Sequence, residues 1–236
     1  MPKYTQMFYG DDMKIKNLTL SESTVFGYSS NCYLLTSGGE AVIVDPSLET
    51  DVILSSLDLA EVNLKYIILT HAHFDHMLHL DAIARESGAT VALGAQDLPA
   101  LRDPRQNLAA YFCPTPIAYL GEAVGFEDGE SVNFGSSSFN VGHFPGHTPG
   151  LVAYIGGDVA FVGDLLFRGS IGRTDFPGSS QSDMVRSLVK IGELDPKLKI
   201  CSGHGGDTLL GFEFENNHFL MEAAAYAAEH DGRSKK

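Results

Sequence analysis

The chain has 236 residues, of which 44% are hydrophobic, so it is long and apolar enough to bury the core of one domain spanning residues 1–236. Its 16 Lys and Arg face 30 Asp and Glu, and the formal net charge of −14 argues against a nucleic-acid partner, because phosphate binding draws on clustered basic residues. It contains no run of about 18 apolar residues, so no membrane partner is expected.

The cysteines indicate a reduced protein. Cys32, Cys113 and Cys201 are odd in number and widely spaced, without a CxxC pair. The apolar surroundings of Cys32 and Cys201 predict packed rather than reactive thiols. Because residues 1–6 also lack the apolar core of a signal peptide, we expect a cytoplasmic location.

In chain order, the first half of the sequence predicts three strands, a helix, a fourth strand and a second helix. Strands are predicted over residues 13–20, 32–36, 41–44 and 66–69. Ser37-Gly38-Gly39 predicts the hairpin turn that leads into 41–44. Helix-compatible apolar spacing covers 52–59 and 78–85. The stretch 95–119 contains Pro99, Pro104, Pro114 and Pro116, and we expect it to be an irregular insertion near the mouth of a site.

The second half predicts two further hairpins and two helices. The hairpins cover residues 129–142 and 151–162, each with a glycine-containing turn. The helices cover 180–192, with Ser180 or Ser182 as the N-cap, and the alanine-rich stretch 213–229. Strands and helices that alternate in this way predict an α/β fold.

The most informative motif directly follows the apolar strand predicted at 66–69. It places His71, His73, Asp75 and His76 within six residues. Imidazoles and a carboxylate form a nitrogen and oxygen donor set suited to zinc, iron or manganese, and four donors are too many for one open catalytic ion. His71 and His73 can point at one metal, while Asp75 and His76 can diverge towards a second.

Three more ligand candidates lie in similar settings. His147, Asp164 and His204 each follow an apolar or alternating run and stand beside glycine. A single His or Asp in a loop is more often structural than a ligand. Together with the first motif, however, the three loops predict one coherent metal site.

The order His-x-His-x-Asp-His, then His, then Gly-Asp, then Gly-His resembles the metal pattern of the metallo-β-lactamase-fold hydrolases. Several strings are similar to the bacterial single-domain glyoxalase II-like (hydroxyacylglutathione hydrolase-like) members. Examples are Asn31-Cys32-Tyr33-Leu34-Leu35, Val42-Ile43-Val44-Asp45-Pro46, Phe144-Pro145-Gly146-His147-Thr148-Pro149-Gly150 and Gly163-Asp164-Leu165-Leu166-Phe167. The resemblance implies a four-layer αββα sandwich.

The resemblance also implies a division of the ligands between two metal sites. The site-1 ligands would be His71, His73 and His147. The site-2 ligands would be Asp75, His76 and His204. Asp164 would bridge the two ions together with a water molecule. One departure from the family pattern is Met77-Leu78-His79, which replaces a hydrophobic residue and two glycines, and we expect His79 to pack behind the ligands rather than to bind metal.

The chemistry implied is hydrolysis by metal-bound hydroxide, since divalent ions lower the pKa of a bound water from 15.7 towards about 7. Asp75 and Asp164 would be the catalytic carboxylates. The cofactor expected is a pair of divalent ions, zinc first, with iron or manganese as alternatives. The partner is a small-molecule substrate with a carbonyl group, and a thioester such as S-lactoylglutathione is the leading candidate.

Two alternatives remain at this stage. A mononuclear iron persulfide dioxygenase would use His71, His147 and Asp164, and Gly172–Phe176 resembles a string of that branch, although such a site does not need His204. Lactone or β-lactam hydrolysis would use the same hydroxide on another carbonyl. Only 32 residues follow His204, too few for the C-terminal helical domain of the larger glyoxalase II enzymes, so glutathione recognition is not carried over. The sequence leaves the oligomeric state open.

Overall fold

The computed structural model describes residues 13–18 and 30–231, and these residues build two six-stranded sheets. The strands of the first sheet lie side by side in chain order: β1 (Lys14–Asn17), β2 (Tyr33–Ser37), β3 (Glu40–Val44), β4 (Asn63–Ile68), β5 (Thr90–Gly94) and β6 (Val124–Phe126). β1, β2 and β3 pair antiparallel, and β3 to β6 pair parallel. The hairpin predicted at Ser37-Gly38-Gly39 is therefore confirmed, while residues 19–20 of the first predicted strand and the N-terminal segment 1–6 lie outside the described part.

The second sheet contains both hairpins predicted for the second half of the chain. Its strands are β7 (Ser131–Phe134), β8 (Ser137–His143), β9 (Val152–Gly156), β10 (Val159–Gly163), β11 (Lys199–Ser202) and β12 (Thr208–Leu209). Their order in the sheet is β12-β11-β10-β9-β8-β7. β10 and β11 pair parallel and the other neighbours pair antiparallel. β8 and β10 consequently run in the same direction, and their carboxyl ends meet at one edge.

Seven α-helices are present among the described residues. They are α1 (Thr50–Ala60), α2 (Leu80–Ser87), α3 (Leu98–Arg102), α4 (Ala109–Phe112), α5 (Gln181–Ile191), α6 (Leu210–Asn216) and α7 (His218–Asp231). The predicted helix over 180–192 is confirmed, with Ser180 as its N-cap, because the Ser180 side chain accepts the backbone N–H of Asp183. None of these helices is both long enough and apolar enough to cross a bilayer.

Three apolar clusters stack these elements into four layers. Ile53 of α1 and Ile83 of α2 pack on the outer face of the first sheet. Leu188 of α5 and Leu220 of α7 pack on the outer face of the second sheet. Between the sheets, side chains such as Tyr33 of β2 and Phe161 of β10 meet, with ring centroids 5.1 Å apart. The predicted αββα sandwich is therefore confirmed.

The helix predicted over 213–229 is present but is divided into α6 and α7, because the chain leaves the helical conformation at Asn217. This residue is extended, with φ −98° and ψ 107°, and its side chain is completely buried. Its amide donates to the carbonyl of Ser170 at 3.0 Å and to the carboxylate of Glu213 at 2.9 Å, and its Oδ1 accepts the N–H of Phe219 at 3.1 Å. Asn217 thus caps α7 while it holds a distant loop.

The stretch 95–119 is less irregular than predicted. It contains α3, with Pro99 in its first turn, where a missing N–H costs nothing, and α4. Leu101 and Ala109 are buried and anchor these two short helices. The stretch also reaches the predicted ligand segment, since the carbonyl of Asn107 accepts the N–H of Phe74 at 2.9 Å.

Candidate metal centre

The seven predicted ligands lie at the carboxyl ends of strands from both sheets. His71 and His73 follow β4, and a 3-10 turn over Phe74–His76 carries the next two candidates. His147 lies in the loop after β8, Asp164 directly follows β10, and His204 follows β11. A backbone hydrogen bond of 2.9 Å from Val152 to Thr70 joins the two sheets at this edge. The topology therefore brings residues up to 133 positions apart into one pocket.

The side chains form two groups of three. Donor atoms of His71, His73 and His147 lie within 4.8 Å of one another, and so do donor atoms of Asp75, His76 and His204. These groups coincide with the division into site 1 and site 2 that the resemblance implies. A third group combines Asp164 with His71 and His76.

Asp164 lies between the two groups. Its Oδ1 is 3.4 Å from His76 Nε2, and its Oδ2 is 3.4 Å from His147 Nε2 and 3.6 Å from His204 Nε2. One carboxylate thus faces imidazoles of both groups. Gly203 permits this approach, because a Cβ at that position would collide with Asp164 Oδ1.

The buried donor atoms fit a bound cation. His76 Nε2, His147 Nε2 and Asp164 Oδ1 are buried and make no hydrogen bond, although an unsatisfied buried polar group costs about 1–3 kcal/mol. Each imidazole donates from its other nitrogen: His76 Nδ1 to Asp45 Oδ2 at 2.9 Å, and His147 Nδ1 to the carbonyl of Arg173 at 2.8 Å. In the neutral ring the Nε2 lone pair is then directed at the shared space, which is how metal-binding histidines are oriented.

Asp45 was not among the predicted site residues. It follows β3 with φ +53° and is 1% exposed. Besides His76 it accepts the N–H of Thr70 and the Thr70 hydroxyl, both at 2.8 Å. The signal that could have identified it is its position, since an acidic residue that directly follows a buried apolar strand is seldom there for solubility alone.

The electrostatics differ between the two groups. Burial lowers the pKa of His73 to about 3 and that of His71 well below its usual value, so both rings are neutral at pH 7. Burial also opposes charge on His76, but Asp45, Asp75 and Asp164 outweigh it and raise the pKa of His76 well above its usual value. The pKa of Asp164 falls below its usual range despite burial, because imidazoles surround it. The site-2 side therefore favours a positive charge.

His79 belongs to none of the three groups. It is the residue before α2, and its Nε2 is 3.7 Å from Glu49 Oε2. The structure thus places it beside α1 and not among the candidate ligands.

An aromatic wall borders the site-1 side. The ring of Phe176 meets His73 and His147 edge-on, at centroid distances of 5.8 and 6.1 Å. Phe112 of α4 lies 6.3 Å from Phe176 and stacks on Phe74 at 6.0 Å. The stretch 95–119 therefore contributes to the surroundings of the site.

Comparison with known proteins agrees with the fold. The family profile described as Metallo-beta-lactamase superfamily matches residues 25–204. The hydroxyacylglutathione hydrolase GloC of Haemophilus influenzae is 31% identical over 201 residues, covering 83% of this chain and 95% of that protein.

Two solved structures are similar over most of the chain. The BLEG-1 B3 metallo-beta-lactamase superposes with a TM-score of 0.80 at 33% identity, covering 88% of this chain and 99% of that one. The di-iron-bound form of TTHA1623 superposes with a TM-score of 0.75 at 34% identity, covering 86% and 99%. With its two sheets, its His/Asp groups and this extent of similarity, the chain belongs to the metallo-beta-lactamase superfamily.

Proposed function

We propose that the protein is a binuclear metal-dependent hydrolase that cleaves a small-molecule thioester, with S-lactoylglutathione as the leading substrate. The observation that carries this proposal is the pair of three-residue groups with one carboxylate between them. A mononuclear site would leave one of the two groups without an ion, and in the second group His76 Nε2 is buried and makes no hydrogen bond.

Each candidate ligand has a proposed ion. His71, His73 and His147 would hold the first ion, Asp75, His76 and His204 the second, and Asp164 both. Divalent ions held there would lower the pKa of a water molecule towards about 7 and polarise the substrate carbonyl. The neutral rings of His71 and His73 offer lone pairs without first losing a proton.

The protein also shapes the approach of the substrate. Phe176 packs edge-on against His73 and in turn contacts Phe112, so the site-1 side has apolar neighbours, and apolar surroundings strengthen electrostatic interactions. Asp75 and Asp164 would supply two negative charges, whereas two divalent ions bring four positive charges. The centre would therefore keep a net positive charge. That charge would attract the developing oxyanion and a departing thiolate.

The thioester assignment is supported by the similarity to a hydroxyacylglutathione hydrolase. Similarity to a B3 metallo-beta-lactamase favours β-lactam or lactone hydrolysis as the second candidate. Zinc is the first choice of metal, and the similarity to a protein with a di-iron-bound form keeps iron as the alternative, alongside manganese. A small-molecule partner, without nucleic acid or membrane, and a cytoplasmic location complete the proposal.

The test is thiol release from S-D-lactoylglutathione by protein whose zinc, iron and manganese contents are measured on the same sample. We expect release with two ions per chain and its loss in Asp164→Ala. The matched control is Asp158→Asn, an exposed carboxylate in the turn at the opposite end of β10, which should retain activity. Two ions without thiol release would refute the thioesterase proposal and direct the next assay to β-lactam and lactone ring opening. One iron per chain would direct it to oxygen uptake with a persulfide.

A further inference from the structure

Like Asp45, Asp97 is a buried carboxylate next to the candidate metal centre that belongs to none of the three groups of candidate metal ligands. Asp97 follows β5 and is 1% exposed. Its Oδ2 accepts the N–H of Ala72 at 3.0 Å and the hydroxyl of Thr148 at 2.8 Å, and its Oδ1 accepts the N–H of Gly150 at 2.7 Å. Burying a carboxylate is costly unless donors surround it, and here three donors converge on one side chain.

The three donors belong to the two segments that carry the proposed site-1 ligands. Ala72 lies between His71 and His73, and Thr148 directly follows His147. The first segment ends a strand of one sheet and the second a strand of the other. One carboxylate therefore joins the only two segments from which site 1 would draw its histidines.

Glycines allow the His147 segment to approach the end of β5 and Asp97 this closely. A Cβ on Gly150 would collide with the backbone nitrogen of Asp97, and a Cβ on Gly94 would collide with the carbonyl of Gly150. The contact is thus built into the backbone as well as into the hydrogen bonds.

Site 2 is held by a different set of contacts. Asp45 orients His76, as described above. Asn31 donates to the carbonyls of Ser202 and Gly205, both at 2.9 Å, and so braces the loop on both sides of His204. Neither contact involves Asp97.

We infer that Asp97 is a positioning residue that sets the metal affinity of site 1 without setting that of site 2. This inference rests on the proposed binuclear centre. Removing a hydrogen bond that orients metal ligands typically lowers metal affinity by roughly 10–100-fold. The loss should therefore be confined to one of the two ions.

The test is a cobalt or zinc titration of the full chain, followed by metal analysis after dialysis, with wild type and matched variants. Thr148→Val removes the hydroxyl donor and keeps the shape of the side chain, and Asp97→Asn replaces one of the two acceptor oxygens by a donor and so breaks at least one of the three contacts. Each variant should lower the affinity for one ion by roughly 10-fold or more and leave the affinity for the other ion within about 3-fold of wild type. Thr148→Ser restores the hydroxyl and should recover the affinity, while Asp158→Asn should match wild type.

Two further variants locate the effect. In a His147→Ala background, where site 1 is already broken, Thr148→Val should add no further loss, since two changes at one site are not additive. Asn31→Ala should weaken the other ion. The inference is overturned if Thr148→Val and Asp97→Asn bind both ions as wild type does, or lose both ions in parallel with a lower melting temperature.

The same titration separates this inference from the proposed function. A wild-type stoichiometry of one ion would refute the binuclear proposal. The part of the inference that concerns site 1 would then be tested on that single ion, and it fails if Thr148→Val leaves the affinity for that ion unchanged. Wild-type protein that binds no metal would refute both.

Discussion

Replacing Asp45 tests whether the contacts behind the metal ligands also stabilise the fold. Asp45 is 1% exposed and accepts three hydrogen bonds, from Thr70 N–H, Thr70 Oγ1 and His76 Nδ1. In Asp45→Ala the three donors are left buried without acceptors, at about 1 kcal/mol each. Alanine also has to adopt the left-handed backbone at φ +53°, which costs about 1 kcal/mol. We therefore expect a loss of about 4 kcal/mol in the free energy of unfolding.

Asp45→Asn is the matched variant. Asparagine tolerates a left-handed backbone and keeps one acceptor oxygen, so its loss should be about half as large, about 2 kcal/mol. The assay is urea unfolding of chelator-treated protein, because bound metal would add its own stabilisation to the native state. Asp158→Ala, an exposed carboxylate, should change stability by no more than about 0.5 kcal/mol.

A loss below about 1 kcal/mol in Asp45→Ala would refute the reasoning, since it would mean that the three donors find water or new partners. Equal losses in the alanine and asparagine variants would refute the assigned share of the backbone conformation and of the retained oxygen.

Two other predictions follow from burial and charge. Of the three free thiols, Cys113 alone is not buried, so one thiol per native chain should react with a disulfide reagent; burial raises the pKa of Cys113, so this reaction should be slower than that of a free thiol at pH 8. The metal-free protein should be most stable near pH 6.5, the ordinary pKa of histidine. The raised pKa values of His76 and His204, where carboxylates outweigh burial, provide stability below pH 6.5 that is lost as the pH rises through those values. The lowered pKa values of His71 and His73 cost stability once the pH falls below 6.5, where the unfolded rings take up protons and the buried rings do not.

Both predictions can be checked against a control or a contrary result. Thiol counts on urea-unfolded protein provide the reference of three per chain, and Cys113→Ser should abolish the native reaction. Urea midpoints at a series of pH values, in chelator, test the second prediction. A stability that rises steadily from pH 6.5 to 8.5 would contradict the proposed influence of the carboxylates on His76 and His204.

Local signals in the sequence were sufficient for much of the architecture. The glycine turns place the hairpins, since two-residue turns with glycine match the twist of the strands they join. Ser180 begins α5 because its side chain satisfies a backbone donor three residues away. Both signals act within a few residues, and neither depends on the rest of the fold.

Signals that depend on distant partners were not readable in this way. Residues 213–229 have a strong helical propensity, yet the helix is interrupted at Asn217, whose buried amide donates to the carbonyl of Ser170, a partner 47 positions away that local propensity does not record. The short helices α3 and α4 are anchored by Leu101 and Ala109, whose burial depends on packing that local propensity does not record.

The sequence by itself determined which side chains could bind metal, because the donor types and their spacing after apolar strands are local properties of the chain. Only the tertiary structure decided which buried carboxylates form hydrogen bonds with the ligand segments. Asp45 reaches His76 across 31 positions and Asp97 reaches Thr148 across 51. A buried carboxylate is stable only where donors surround it, and here strands and loops from distant parts of the chain supply those donors.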